Sequence, residues 1–284
     1  MESTQITAKE INELRQQTGA GIMDCRKALI ESNGDLEKAI DYLRKKGQKV
    51  ATQRSDRDAK EGSVIALTSQ DKKNALVLCL SCETDFVAKN DEFISFANEL
   101  ANLALDNQVS SVEQLKEKSL KDGVKVSEKL LDYMAKIGEK IDISKLFFTQ
   151  AEGVVSYIHG QNRMGVIVAY NIAINSENEL KLKDIAMQIA AMNPVAIDEN
   201  SVSKEIIDRE MAIILEQMKQ DPKMEGKPDE MLQKIAQGKL NAYFKEQTLL
   251  AQVFVKDPSK TVKEYLQSID SSVKVISFNR VALG

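Results

Sequence analysis

The run Ala75-Leu76-Val77-Leu78-Cys79-Leu80-Ser81-Cys82 constrains this chain more than any other stretch. It is far shorter than the roughly 18 apolar residues of a membrane span, and its length suits a strand. The strand leads directly into Glu83-Thr84-Asp85-Phe86-Val87-Ala88-Lys89-Asn90. There an acid and a large apolar ring stand side by side on a junction loop, before a polar helix start. Neither is needed to begin that helix, so the pair reads as a feature presented for insertion into something else.

The pattern upstream is helical. Thr7-Ala8-Lys9-Glu10 forms a capping box with Ile6 and Ile11 at the staple positions. The first helix should run to about Gln17 and stop at Thr18-Gly19. A second spans Ile22 to Glu31, with Ile22, Cys25 and Leu29 spaced for one buried face. Asp35 caps a third, in which Leu36, Ala39, Ile40 and Leu43 recur at helical spacing. Gly47 is expected to close it. Arg44 to Lys60 carries seven basic and two acidic residues without apolar periodicity, so it reads as a linker.

From Gly62 onward strands appear. Val64 to Leu67 and Ala75 to Cys82 form a pair turned through Ser69 to Asn74. Asn90 caps a helix carrying Phe93, Ala97, Leu100 and Ala104. Ser111-Val112-Glu113-Gln114 reads as another capping box, Ser127 to Ile141 as a helix, and Leu146-Phe147-Phe148 as a strand. A second unit opens with a hairpin, Val154 to Ile158 and Met164 to Ile174, followed by a helix ending at Asn193-Pro194. Ile207, Met211, Ile214 and Met218 form a narrow seam suited to a helix packed lengthwise on a partner helix. Pro228 starts the return helix. Ser259 to Ser268 is expected to be the final helix and Val273 to Val281 the final strand. The class is α+β, and 284 residues leave room for about two domains of roughly 150 residues.

Bulk chemistry narrows the function by exclusion. The formal charge of −4 argues against whole-protein attraction to nucleic acid. The basic stretch with Lys45, Lys46, Lys49, Arg54 and Arg57 leaves an RNA-binding reading open, but the stretch has no aromatic residue for base stacking, so a solvated connector is preferred. Met1-Glu2-Ser3-Thr4 shows no basic region followed by an apolar segment, and a cytoplasmic protein is expected. Three cysteines and one histidine supply neither a disulfide framework nor a zinc ligand set, and Cys79 and Cys82 should point to opposite faces of their strand. No nucleophile elbow, phosphate-cradling loop or dinucleotide fingerprint is present, so neither catalysis, a metal nor a cofactor is expected.

Three stretches remain, each with a plain structural alternative. Phe86 could be a core side chain and Asp85 a local cap. His159, beside Gly160, could be a solvated turn residue. Ile22 and Met23 could be exposed binding residues or the cap of the helical module.

These stretches carry a resemblance. Leu14-Arg15 with Thr18-Gly19-Ala20-Gly21-Ile22-Met23 through Leu29, then Glu83 through Ala88, then Tyr157 to Gly160 with Arg163 to Val166, are similar in kind and order to the bacterial elongation factor Ts family. The resemblance implies a guanine-nucleotide exchange factor of protein biosynthesis that acts on elongation factor Tu without an active site of its own. It implies a three-helix module like a ubiquitin-associated domain with its basic linker (1–55), one core subdomain (56–151), a second (152–193 with 241–284), and an inserted helical hairpin (194–240). Thr84, Asp85, Phe86 and Val87 would intrude beside the partner's Mg²⁺ site. His159 and Gly160 would contact it from the second subdomain, and the N-terminal residues Leu14, Arg15 and Thr18 to Met23 would dock on it. In some members the hairpin, here about 203–239, pairs two copies, and neither nucleic acid nor membrane is a direct partner. Some members also continue into a C-terminal helix that touches the partner. This sequence reads Val281-Ala282-Leu283-Gly284 there, which puts that contact in doubt.

Overall fold

The computed structural model describes residues 6–284. The leader reading at Met1 to Thr4 therefore lies outside the described residues. Three helices form the N-terminal module: α1 (Ala8–Thr18), α2 (Ile22–Glu31) and α3 (Leu36–Gln53). Thr7 and Glu10 close the capping box reciprocally, and Gly19 ends α1 in the left-handed region at φ 67°. Asp35 accepts from the Lys38 amide to start α3. Leu14, Cys25, Ala28, Leu29, Ala39 and Leu43 make the module's core, with Ile6 and Ile11 packed on it as a staple requires.

The core has two three-stranded antiparallel sheets. The first runs β1 (Glu61–Thr68), β2 (Asn74–Cys82), then a one-turn helix α4 (Asp85–Ala88), α5 (Asp91–Asp106), α6 (Val112–Lys116), α7 (Val126–Ile137) and β3 (Asp142–Gln150), in sheet order β1-β2-β3. The second holds β4 (Gly153–His159), β5 (Met164–Tyr170), then α8 (Glu179–Met192), α9 (Lys204–Gln220), α10 (Asp229–Gln247), the short pair β6 (Val253–Phe254) and β7 (Asp257–Thr261), α11 (Val262–Ile269) and β8 (Val275–Ala282). Its order is β4-β5-β8.

The sheets pack face to face. Val64, Ala66, Val77 and Cys79 of the first meet Val154, Ile167, Ala169 and Val281 of the second. Helices α5 and α7 cover the outer face of the first sheet, and α8 with α11 covers that of the second. Strand β2 is thus buried on both sides, which explains its unbroken apolar run. Cys79 faces the inter-sheet core and Cys82 the helices, on opposite faces as expected. At Gly165 the sheets approach tightly: a Cβ there would lie 2.8 Å from Val64 Cγ1 and 2.9 Å from Val77 Cγ2.

Helix α3 does not close at Gly47, and residues 44–53 are not linker. Gly47 is buried, and a Cβ on it would run into the Leu131 carbonyl oxygen of α7. Glycine costs a helix about 1 kcal/mol relative to alanine, but here its bareness permits the close approach that joins the module to the core. Arg44 and Arg54 do not float either. They pair with Glu128 and Glu83 across the same junction.

Other departures are local. Ser111 caps α6, but Gln114 returns its oxygen to the Ser110 amide, so the box is not reciprocal. Pro228 is the N-cap of α10 rather than its first residue, and α10 runs on to Gln247, past the expected hairpin end at 240. Asp257–Thr261 is a strand, and α11 starts at Val262 on a Thr261–Glu264 capping box. The α9 seam holds: Ile214 and Met218 are buried against Ala236, Leu240 and Phe244.

Candidate functional site

The apolar strand β2 ends on the turn that the sequence singles out. It is not an open loop: residues Asp85–Ala88 form one helical turn, with the Thr84 hydroxyl accepting from the Val87 amide. Val87 packs inward against the first core. Phe86 points the other way and is 83% exposed, so it contributes nothing to the core. Asp85 is not the cap. It sits in the first turn and pairs with Lys89 at 2.6 Å, whose ammonium holds the carboxyl below its usual range.

Two carboxylates fix this turn to the body. Glu139 accepts from the Glu83 amide (3.1 Å), the Thr84 amide (3.1 Å) and the Thr84 hydroxyl (2.7 Å). Glu83 itself accepts from Arg54 (2.7 Å) and from the Lys140 amide (2.7 Å). Burial pushes the Glu83 carboxyl up, but the Lys140 amide and the Arg54 guanidinium pull it further down, and its pKa ends below the ordinary value. Lys140 completes the clamp by donating to the carbonyls of Ser55 and Arg57. None of these anchors was legible in the sequence, because the partners lie 29 to 85 residues apart. Beside them, burial pushes the Cys82 thiol up to about 12, which leaves it a protonated core group.

A groove of about 370 Å³ runs beneath Phe86, bordered by Val87, Phe93, Tyr133, Lys136 and Ile137. Lys136 links it to the N-terminal module: its side chain pairs with Glu92 and lies 3.2 Å from where a Gly19 Cβ would sit. The α1–α2 turn therefore stands next to a residue that borders the groove, without lining it itself. Of the candidate residues there, Leu14 and Ala20 are buried in the module's own core and can only position the turn. Thr18 does likewise, donating to the Leu14 carbonyl and accepting from the Ala20 amide. Arg15 and Gly21 are exposed. Ile22, expected on the buried face of α2, is half-exposed where the helix begins, and with Met23 (71% exposed) it forms the exposed apolar part of this turn.

The third stretch reaches the same end of the sandwich. His159 ends β4, and Gly160, Gln161 and Asn162 turn with positive φ. His159 Nδ1 lies 2.9 Å from the Tyr157 hydroxyl. The turn is tied to the first sheet: the Val64 amide donates to the Asn162 carbonyl (2.7 Å), and Arg163 pairs with Glu61 (3.0 Å). Glu61 is the register partner of Cys82, the residue from which the Phe86 turn departs. Three stretches distant in sequence thus converge on one end of the molecule. Among the described residues no cluster of three or more potential metal ligands occurs.

Fold and site together define a class: an α+β protein that offers a rigid, exposed aromatic turn flanked by apolar and polar turns. The elongation factor Ts family model matches residues 83–284, beginning at the first residue of that turn. Elongation factor Ts of Christiangramia forsetii is 46% identical over 279 residues, covering 98% of this chain and 99% of the relative. That of Amoebophilus asiaticus is 47% identical with the same coverage, and that of Flavobacterium psychrophilum 42%. This chain belongs to the elongation factor Ts family.

Proposed function

We propose that this chain is a guanine-nucleotide exchange factor that binds the GDP form of elongation factor Tu and accelerates GDP release in the cytoplasm. The observation that carries this reading is Phe86: a large ring exposed to water, on a turn anchored by Glu139 and Glu83. A single exposed ring is common on protein surfaces, but one held in place by a bonded turn is the form an interface anchor takes.

A GTPase holds GDP through backbone amides, a lysine and Mg²⁺ that compensate the phosphate charge. An exchange factor need not touch the nucleotide. It has to bind better to a GTPase conformation in which those contacts are disturbed. Linkage then makes nucleotide and factor weaken each other by the same factor. In this reading Phe86 enters a pocket that opens in the disturbed conformation, and Asp85 acts electrostatically near the Mg²⁺ site, leaving Lys89 as it does so. His159 and Gly160 press on the phosphate loop side from the second sheet, while Ile22 and Met23 dock the N-terminal module. The chain carries out no bond-making step. The hairpin of α9 and α10 presents Ile213, Leu215 and Met231 outward, a face on which a second copy would pair.

The direct test follows a fluorescent GDP analogue on purified elongation factor Tu. Adding this chain should raise the release rate in a saturable way. A release rate independent of its concentration refutes the reading.

A further inference from the structure

The basic stretch after Leu43 acquires a different meaning once α3 is seen to continue to Gln53. Six of its seven cations divide into two sets, and the seventh, Arg57, is exposed beyond the end of α3 and outside the groove of interest. Arg44, Lys46, Arg54 and Lys60 are engaged in ion pairs with Glu128, Asp24, Glu83 and Asp58. Lys45 and Lys49 are exposed, one helical turn apart, and have no ion-pair partner among the described residues. Lys27 of α2 is exposed and unpaired in the same way, and it borders the same groove.

That groove, about 500 Å³, is lined by Lys27, Tyr42, Lys45, Lys49 and Val50, with the Lys46–Asp24 pair at its side. Tyr42 is half-buried, resting on the module's core while bordering the groove. The objection to a nucleic-acid reading is the lack of an aromatic residue in a stretch read as a solvated connector. The segment is helical, and helical geometry brings Tyr42, just outside it, alongside the lysines. Asp24 is the one acidic group lining the groove, and Lys46 already neutralises it.

We infer that the α2–α3 groove binds the phosphodiester backbone of single-stranded RNA, with Lys27, Lys45 and Lys49 on phosphates and Tyr42 against a base. Charge complementarity selects the ligand: three free cations in a chain of net charge −4 form a local site rather than a general attraction. A neighbouring aromatic favours a strand with accessible base faces over a bare polyanion. The groove shares no residue with the Phe86 turn, the His159 turn or Ile22 and Met23, although Lys27 stands one helical turn from Met23 on α2.

The test is fluorescence anisotropy of a labelled oligouridine of roughly twelve nucleotides with the full chain. Three phosphate contacts on a single strand predict a plot of log affinity against log salt with slope about −2, so a fourfold rise in salt weakens binding about 18-fold. Lys27→Gln, Lys45→Gln and Lys49→Gln should each remove about 0.7 from that slope, and arginine at the same positions should restore it. Tyr42→Leu should weaken binding about tenfold with the slope unchanged. All three lysines are exposed, so the triple variant should retain its circular dichroism and melting temperature. A wild-type slope shallower than about −1, or a triple variant that binds like wild type, overturns the inference. So does a polyglutamate peptide that binds with the same lysine dependence while the oligouridine does not, which would assign the groove to an acidic protein segment.

Discussion

Phe86→Ala should separate the proposed recognition from folding, because the ring lies outside the core. The ring is 83% exposed in the free protein, so nearly all of its surface remains to be removed from water by a partner. Full burial of a phenylalanine side chain is favourable by about 1.5–3 kcal/mol, and that exposed share corresponds to about 1.2–2.5 kcal/mol. If the receiving pocket exists only in the disturbed GTPase, this whole term is differential. At about 1.4 kcal/mol per tenfold, the variant should lose about 8- to 60-fold in stimulated GDP release at subsaturating concentration. Stability should move by less than about 0.5 kcal/mol, because the ring makes no core contact.

The assay is release of a fluorescent GDP analogue from elongation factor Tu across a concentration series, paired with a thermal melt of the free variant. A loss below about threefold refutes the intrusion role, since it falls outside the range that burial allows. A clear fall in melting temperature refutes the premise instead, by showing that Phe86 supports the fold. Adding Asp85→Ala should deepen the loss, because that carboxylate is exposed and held only by Lys89.

Three further outcomes follow from the geometry. Glu139→Ala removes the acceptor of two amides and a hydroxyl at the turn. It should slow stimulated release about tenfold and raise hydrogen exchange at Glu83 and Thr84, while amides of β2 stay protected. The Glu83 carboxyl has a folded pKa below the ordinary 4.5, so its stabilisation is present above that value and is lost as pH falls through the depressed one. Denaturant melts of wild type and Glu83→Gln should therefore differ most at neutral pH and converge as the solution is acidified below about 4.5. Gly165→Ala would press a methyl against Val64, Val77 and Ala66, and should cost about 1–3 kcal/mol in a denaturant melt without altering release per folded molecule.

The legible parts of this fold are those written in local chemistry. Thr7 with Glu10, Gly19, Asp35, Asn90 and Asn193 mark helix ends because each satisfies or releases neighbouring backbone groups, and these ends were read correctly. The run through Cys82 marked a strand, and the structure adds that it lies between two layers. Gly47 misled because glycine speaks equally for a helix end and for a close helix crossing, and only Leu131, 84 residues later, decides between them. Likewise, nothing near Thr84 announces Glu139, and nothing near Arg54 announces Glu83. The candidate turns were visible as motifs. What holds them still was not.

That hidden scaffolding bears directly on how an exposed ring can do work on a partner. Ordering a backbone residue costs about 1–2 kcal/mol, so the five residues Thr84 to Ala88, if free in solution, would give up about 5–10 kcal/mol on docking. Phe86 returns only about 1.2–2.5 kcal/mol, which could not cover that cost. With the Glu139 and Glu83 bonds formed during folding, the ordering cost is met before encounter, and the ring's burial is available to discriminate between partner conformations. A mobile Phe86 would also adapt to loaded and disturbed partners alike, and a group that gains equally in both states shifts nothing. Under the proposed function, rigidity of the turn, more than its hydrophobicity, is therefore what would convert binding into a bias between nucleotide states.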